Sequence, residues 1–184
     1  TAVMIAQHQQ GLRSLVVASP LARDGRTFVA MNLGLELGQS GMNVLLVDAD
    51  ALDPQLATQF AVVDEPGLAA VLAGEAQPGA AVRETPAPAL KLMPWGQPDP
   101  AGAQALNIDR IGAILPELEQ QYDLVLIDTP AASLAADVQA WAHQTHGALL
   151  VVSLGQTRGH ALRELVQHLQ RCGAHVLGVV LNRA

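Results

Sequence analysis

Three aspartates follow two apolar segments of the chain, at positions where carboxylates could bind magnesium and phosphate. Asp48 and Asp50 come after the apolar run Val44–Val47, and Asp128 comes directly after Leu124–Ile127. If both runs are strands of an open α/β sheet, the aspartates lie at the edge where ligands bind in such sheets. Carboxylates there can hold Mg²⁺ directly or through water. The alternative is that each aspartate accepts N–H groups of the next segment and is purely structural.

A nine-residue segment, SPLARDGRT at positions 19–27, lies where a phosphate-binding loop belongs. It follows the apolar run Leu15–Ala18 and leads into residues 28–37, whose apolar spacing is helical. A strand, a tight loop and a helix form the context in which the pattern G-x-x-x-x-G-K-[ST] binds phosphate with backbone N–H groups. The segment therefore predicts a site of nucleotide-binding origin, which the two acidic strand ends support.

The residues of this loop fit the phosphate-binding pattern only in part. Gly25 and Thr27 match it, with Thr27 at the position of the magnesium-binding hydroxyl. Pro20 stands at the first glycine and Arg26 at the lysine. Arginine is longer, planar and forked, so it is not a conservative replacement for lysine in a tight loop. These departures raise the question of whether the loop still binds a nucleotide.

The aspartates and the loop need a parallel sheet to position them, and the remaining sequence predicts one. Segments that are apolar at nearly every position alternate with segments of helical spacing, as in β-α-β units whose strands are buried on both faces. We predict an α/β, three-layer, P-loop NTPase-like fold with a mostly parallel central sheet flanked by helices. The predicted strands are Leu15–Ala18, Val44–Val47, Leu90–Met93, Leu124–Ile127, Ala148–Val152 and Val176–Leu181; the predicted helices are Thr27–Gln39, Leu56–Phe60, Gly67–Ala73, Ala105–Gln120, Ser133–His143 and Gly159–Cys172.

Length and composition indicate one domain and exclude several partners. The 184 residues are divided into an N-terminal segment, 1–14, and a single domain, 15–184. A net charge of −7 argues against a nucleic-acid surface, which needs a basic stripe. The single cysteine, Cys172, rules out an internal disulfide and fits a reducing compartment. The sequence lacks a run of ~18–20 apolar residues, so we do not expect direct membrane insertion.

Six segments occur along the chain in this order: VLLVDAD with the following Pro54, GLAAVLAG, LMPWGQPDP, YDLVLIDTP, GALLVVS and LGVVLNR. In order and spacing they resemble the cytoplasmic domain of bacterial tyrosine (BY) kinases, which belong to the MinD/ParA-like P-loop ATPases. The resemblance covers residues 15–183, and its middle block separates BY kinases from their ParA and MinD relatives. It implies a cytoplasmic location at the inner face of the membrane, through a partner or a missing N-terminal region. The implied partner is a membrane protein that regulates polysaccharide chain length or export, and a homo-oligomer is compatible with the resemblance.

The resemblance also implies roles for individual residues. It places magnesium coordination at Asp48, Asp128 and the hydroxyl of Thr27, a catalytic carboxylate at Asp50, and adenine recognition at Asn182. The implied cofactors are ATP or ADP with Mg²⁺. The positions that would contact the nucleotide are Gly25, Arg26, Thr27 and Asn182.

The chain departs from the family pattern at positions that phosphoryl transfer uses. Ala22 and Arg23 replace a proline-glycine pair, and we expect Arg23 to deny the loop the positive φ that glycine permits. Asp53 adds a negative charge where polyphosphate would lie. The tyrosine-rich tail of such kinases is missing from this sequence, whose only tyrosine is Tyr122. The other departures are Arg26 for lysine, Leu52 and Asp53 for two arginines, and Ala131 for the second proline of DTPP.

Two functional hypotheses therefore stay open. The first is a pseudoenzyme, a non-catalytic regulatory or scaffold component of exopolysaccharide biosynthesis or export that has lost its ATP and Mg²⁺. The second is a weakly active ATP-binding ATPase or protein-tyrosine kinase of the same family, since Arg23 and Arg26 still supply cationic donors. The loop sequence favours the first. Under that hypothesis a protein partner would contact either the proline-rich segment at 75–102, with Trp95 as an exposed anchor, or the helix at 159–172. Alternatively Trp95 covers the edge of the sheet.

Overall fold

Seven strands and six α-helices make up the part of the chain that the structure describes. The computed structural model describes residues 3, 4, 7, 11–96, 108–132 and 137–183. A 3₁₀ turn occupies Pro78–Ala81. The strands are β1 Ser14–Ala18, β2 Val44–Asp48, β3 Arg83–Glu84, β4 Leu90–Met93, β5 Leu124–Asp128, β6 Gly147–Ser153 and β7 Val176–Asn182; the helices are α1 Arg26–Gln39, α2 Leu56–Phe60, α3 Leu68–Ala73, α4 Ile108–Gln121, α5 Asp137–Gln144 and α6 Gly159–Arg171.

The strands form one sheet in the order β3-β4-β2-β5-β1-β6-β7. Every neighbouring pair is parallel except β3 with β4. Every residue of β1, β2, β5 and β6 is buried, which explains why runs such as Leu124–Ile127 are apolar at every position instead of alternating. The predicted mostly parallel sheet is confirmed.

Helices cover both faces of this sheet and give three layers. On one face, Ile111 of α4, Trp141 of α5 and Leu165 of α6 pack against alternate strand residues such as Val16. On the other face, Leu37 of α1 packs in a second cluster of buried residues that includes the remaining strand positions. The alternation of β1 residues between the two clusters follows from the period of two residues along a strand.

The predicted elements agree with the structure to within about two residues wherever both ends are described. The predicted starts of α4 and α5, at Ala105 and Ser133, lie outside the described residues. The sequence did not predict β3 or the 3₁₀ turn, which lie in the proline-rich segment. The interpretation of Trp95 as an exposed anchor is wrong, because this side chain is 5% exposed and packs in the core beside Met93.

Candidate functional site

The carboxyl edge of the sheet brings the predicted aspartates together. Because β2 and β5 are neighbours in parallel register, Asp48 is paired directly with Asp128. Both residues are the last of their strands, and both are 1% exposed. Asp50 follows two residues after Asp48 and is 7% exposed. Three carboxylates thus lie in one buried region, beside the first turn of α1.

Asp48 uses both of its oxygens to hold the segment that follows β2. Its Oδ1 accepts the backbone N–H of Asp50 at 3.2 Å, and its Oδ2 accepts the backbone N–H of Leu56, at the start of α2, at 3.0 Å. These are the contacts expected if the aspartate has a structural role. Burial, and then the charge of Asp128, raise the pKa of the Asp48 carboxyl to about 7.

Arg26 lies inside the carboxylate cluster. Its Nη2 donates to Asp50 Oδ2 at 2.7 Å, its Nε donates to Asp128 Oδ1 at 3.1 Å, and its Nη1 donates to Ser19 Oγ at 3.1 Å. The residue is 8% exposed. One guanidinium therefore connects the loop, the end of β2 and the end of β5, with charge-assisted bonds to two carboxylates.

Asp128 is held on a second side by the hydroxyl of Thr27, which donates to its carboxylate. Burial raises the pKa of Asp128 to about 6, while the positive charge of Arg26 and the Thr27 bond oppose that increase. Two residues predicted to contact a nucleotide or its metal therefore contact the carboxylate that was predicted to bind magnesium.

Asp50, the predicted catalytic carboxylate, also has both oxygens engaged. Its Oδ2 is the partner of Arg26, and its Oδ1 accepts the backbone N–H groups of Leu52 and Asp53, each at 3.1 Å. These bonds fix the turn that follows β2. Both oxygens of the predicted catalytic carboxylate therefore accept hydrogen bonds from the protein itself.

The loop adopts the backbone conformation that its sequence was expected to prevent. Arg23 has φ of 66°, within the left-handed region, so the expectation that arginine would deny this conformation is wrong. Contacts on both sides fix the loop: Asp24 Oδ2 accepts the backbone N–H of Leu21 at 3.1 Å, and Ser19 Oγ donates to the carbonyl of Leu21 at 2.9 Å. Such contacts can offset a local backbone cost of order 1 kcal/mol.

The position before α1 accepts only a residue without a side chain, and Gly25 occupies it. It has φ of 89°, and a Cβ at this position would collide with the side-chain nitrogen of Asn182. Asn182 donates that nitrogen to the carbonyl of Asp24 at 2.9 Å. The residue predicted to recognise adenine thus packs over the loop and bonds to its backbone.

Asp24 is a site residue that the sequence analysis missed. It is 2% exposed, and its Oδ1 accepts the hydroxyl of Thr157 at 2.6 Å. That hydroxyl in turn accepts the backbone N–H of Ser153, at the end of β6. Asp24 and Thr157 are 133 residues apart, and no motif in the sequence linked them. The pair ties the loop to the strand end on its other side.

The carboxylates do not fit a magnesium ion while Arg26 keeps this position. A divalent cation needs oxygen ligands at about 2.0–2.6 Å, but Asp48 and Asp50 have both oxygens in hydrogen bonds, and Asp128 accepts from Arg26 and Thr27. Within residues 11–96, 108–132 and 137–183, no group of three or more His, Cys, Asp or Glu side chains is arranged to hold a metal ion. Arg26 supplies the positive charge instead.

Among the described residues, no helix combines the length and the apolar character needed to cross a bilayer.

The helix predicted at 159–172 carries its stripe of Leu162, Leu165, Val166 and Leu169 against the core, as predicted. Its opposite side is exposed at positions such as Arg163 and Glu164.

Comparison with known proteins finds a family and relatives that are named for polysaccharide biosynthesis. A family model described as "Cellulose biosynthesis protein BcsQ" matches residues 14–178. Tyrosine-protein kinase YwqD of Bacillus subtilis (strain 168) is 28% identical over 182 residues, which are 99% of this chain and 77% of the kinase. Succinoglycan biosynthesis transport protein ExoP of Rhizobium meliloti (strain 1021) is 29% identical over 174 residues. The match covers 93% of this chain but 22% of ExoP, so the chain spans only a small part of the longer relatives.

Two solved structures are similar over nearly the whole chain. The kinase domain of the Escherichia coli tyrosine kinase ETK gives a TM-score of 0.90 at 26% identity, covering 99% of this chain and 73% of that domain. The septum site-determining protein MinD of Pyrococcus horikoshii OT3, solved with Mg-ADP, gives a TM-score of 0.82 at 28% identity, covering 93% of this chain and 70% of MinD. These likenesses confirm the predicted relationship to BY kinases and the predicted P-loop NTPase-like fold.

Proposed function

This chain belongs to the family described as cellulose biosynthesis protein BcsQ, and from that premise we propose that it is a non-catalytic regulatory or scaffold domain of bacterial exopolysaccharide biosynthesis or export. It acts by binding protein partners at the inner face of the membrane. The partner class is a membrane protein that controls polysaccharide chain length or export. A relative that supports this class is ExoP, whose name combines succinoglycan biosynthesis with transport.

One observation carries the non-catalytic part of this proposal: Arg26 is bound between Asp50 and Asp128, at 2.7 Å and 3.1 Å. Phosphoryl transfer depends on metal ions that bridge phosphate oxygens and neutralise the developing charge. Arg26 directs its charge at the protein's own carboxylates. Asp128 and Asp50, which would bind Mg²⁺ and activate a hydroxyl, form ion pairs with Arg26 instead.

A second candidate function is weak nucleotide binding, which the backbone of the loop favours. Gly25 and Arg23 both have positive φ, and the loop leads directly into the N-terminus of α1, the arrangement in which backbone N–H groups bind phosphate. MinD, which shares the fold, was solved with Mg-ADP. Such binding by this chain would require Arg26 to leave Asp50 and Asp128.

The cellular test compares polysaccharide output in strains that carry single substitutions with a strain that lacks the gene. Asp50→Asn and Asp128→Asn remove one carboxylate each while keeping side-chain size, and the purified variants are checked for folding by circular dichroism. The proposal expects deletion to reduce output and both folded variants to keep it near the wild-type level. If the Asp50→Asn or Asp128→Asn protein folds but its strain loses polysaccharide output, the proposal is contradicted, because a scaffold does not need these carboxylates for chemistry.

A further inference from the structure

We infer that Arg26 is the resident cation of this site: its guanidinium takes the place of a divalent metal ion between Asp50 and Asp128 and closes the site to such ions. The inference rests on the proposed non-catalytic function and deepens it by naming the residue that keeps metal out. It concerns a property of the native domain that can be measured without any nucleotide or partner.

Each of the three side-chain nitrogens of Arg26 has a hydrogen-bond partner in the site. Three of its nitrogens donate to three different segments, at Ser19, Asp50 and Asp128, over distances of 2.7–3.1 Å. The positive charge is carried by the guanidinium at the end of this side chain. It is covalently attached to the first residue of α1, so its local concentration does not depend on the solution, unlike that of Mg²⁺.

A metal ion that entered the cluster would have to displace this guanidinium. The displaced charge would stay close to the metal, because Arg26 is 8% exposed and lies at the start of a helix packed on the sheet. Two positive centres would then compete for two carboxylates at short range. Burying a charge after removing its partner is costly, so the native arrangement disfavours metal strongly.

Removal of the guanidinium should reverse this preference. Methionine keeps an unbranched apolar stem but carries no charge and no donor. The carboxylates of Asp50 and Asp128, together with the hydroxyls of Thr27 and Ser19, would then face one another without a cation. Such oxygen ligands suit Mg²⁺ and Mn²⁺. A single side chain, that of Arg26, therefore keeps metal ions out of the wild-type site.

The test measures Mn²⁺ binding by electron paramagnetic resonance, which counts free manganese directly. Five proteins are compared: wild type, Arg26→Met, Asp128→Asn, Arg26→Met with Asp128→Asn, and Arg23→Met. Arg23 is an exposed arginine of the same loop and serves as the matched control for loss of one positive charge. We expect Arg26→Met to bind Mn²⁺ on the order of a hundredfold more tightly than wild type, from the charge removed at short range. The double variant and Arg23→Met should show no such gain.

Two results would overturn the inference. One is Mn²⁺ binding by the wild type at micromolar concentration that Asp128→Asn abolishes, an arm that does not depend on the folding of any Arg26 variant. The other is a folded Arg26→Met that gains no affinity; if Arg26→Met does not fold, Arg26→Gln is used under the same criterion. The cellular output test is independent: a wild-type protein that binds Mn²⁺ refutes the resident cation, whereas loss of output in folded carboxylate variants refutes the scaffold function.

Discussion

Replacement of Arg26 by methionine should destabilise the domain strongly, and by an amount that depends on pH. The substitution removes one positive charge and three hydrogen bonds from a region that is almost completely buried. It leaves Asp50 and Asp128 facing each other without a cation. Breaking a buried ion pair by removing one partner costs about 3–5 kcal/mol, and we expect a loss of unfolding free energy in that range at pH 8.

The loss should be smaller in mild acid. Arg26 is the largest influence that opposes the raised pKa of Asp128, so its removal raises that pKa further. Near pH 5.5 the carboxyl can then take up a proton instead of staying charged in the protein interior. We expect the destabilisation at pH 5.5 to be about 1–2 kcal/mol smaller than at pH 8.

The assay is urea unfolding followed by circular dichroism at both pH values. Arg23→Met is the matched control, since Arg23 is exposed and has no hydrogen-bonding role among the loop contacts described above; its effect should stay within about 0.5 kcal/mol at each pH. A loss below about 1 kcal/mol for Arg26→Met, or an equal loss at both pH values, would refute the argument that Arg26 neutralises buried carboxylates.

Two further predictions concern Asp48 and Gly25. The pKa of Asp48 is raised to about 7 in the folded state, so the folded state binds more protons than the unfolded chain and the unfolding free energy should fall by about 1–3 kcal/mol between pH 4 and pH 7. In urea unfolding at several pH values, Asp48→Asn should flatten this slope. An unchanged slope would count against the raised pKa of Asp48. Gly25→Ala should lower the unfolding free energy by about 1–3 kcal/mol, because a Cβ would collide with Asn182 and φ is 89°. Adding Asn182→Ala should restore only part of the loss. Full restoration would show that the positive φ contributes nothing to the destabilisation.

The central sheet could be predicted because its strands are buried on both faces. Segments such as Leu124–Ile127 are apolar throughout, and their burial leaves no alternation to confuse with a helix. β3 could not be predicted, since it has only two residues, Arg83 and Glu84, with no apolar signal. It exists because it pairs with β4 at the edge of the sheet, which is a tertiary effect.

The site was predictable in its positions and not in its contacts. Strand ends in a parallel sheet had to bring Asp48 and Asp128 to one edge, and they are paired in register. The direction of Arg26 could not be derived from the loop pattern, because its partners are 24 and 102 residues away in the sequence. The conformation of Arg23 was predicted wrongly, because contacts that fix the loop override the intrinsic preference of arginine for negative φ.

Titration calorimetry of the domain with ATP and excess Mg²⁺ tests the central claim, that this site no longer performs nucleotide chemistry. The ion pairs of Arg26 with Asp50 and Asp128 predict no binding heat at micromolar ATP and a thermal melting temperature that changes little at millimolar Mg·ATP. A ligand present at a hundredfold excess over its Kd would instead stabilise the domain by about 2.7 kcal/mol. Micromolar affinity, or a rise of several degrees in melting temperature that Asp128→Asn abolishes, would contradict the account.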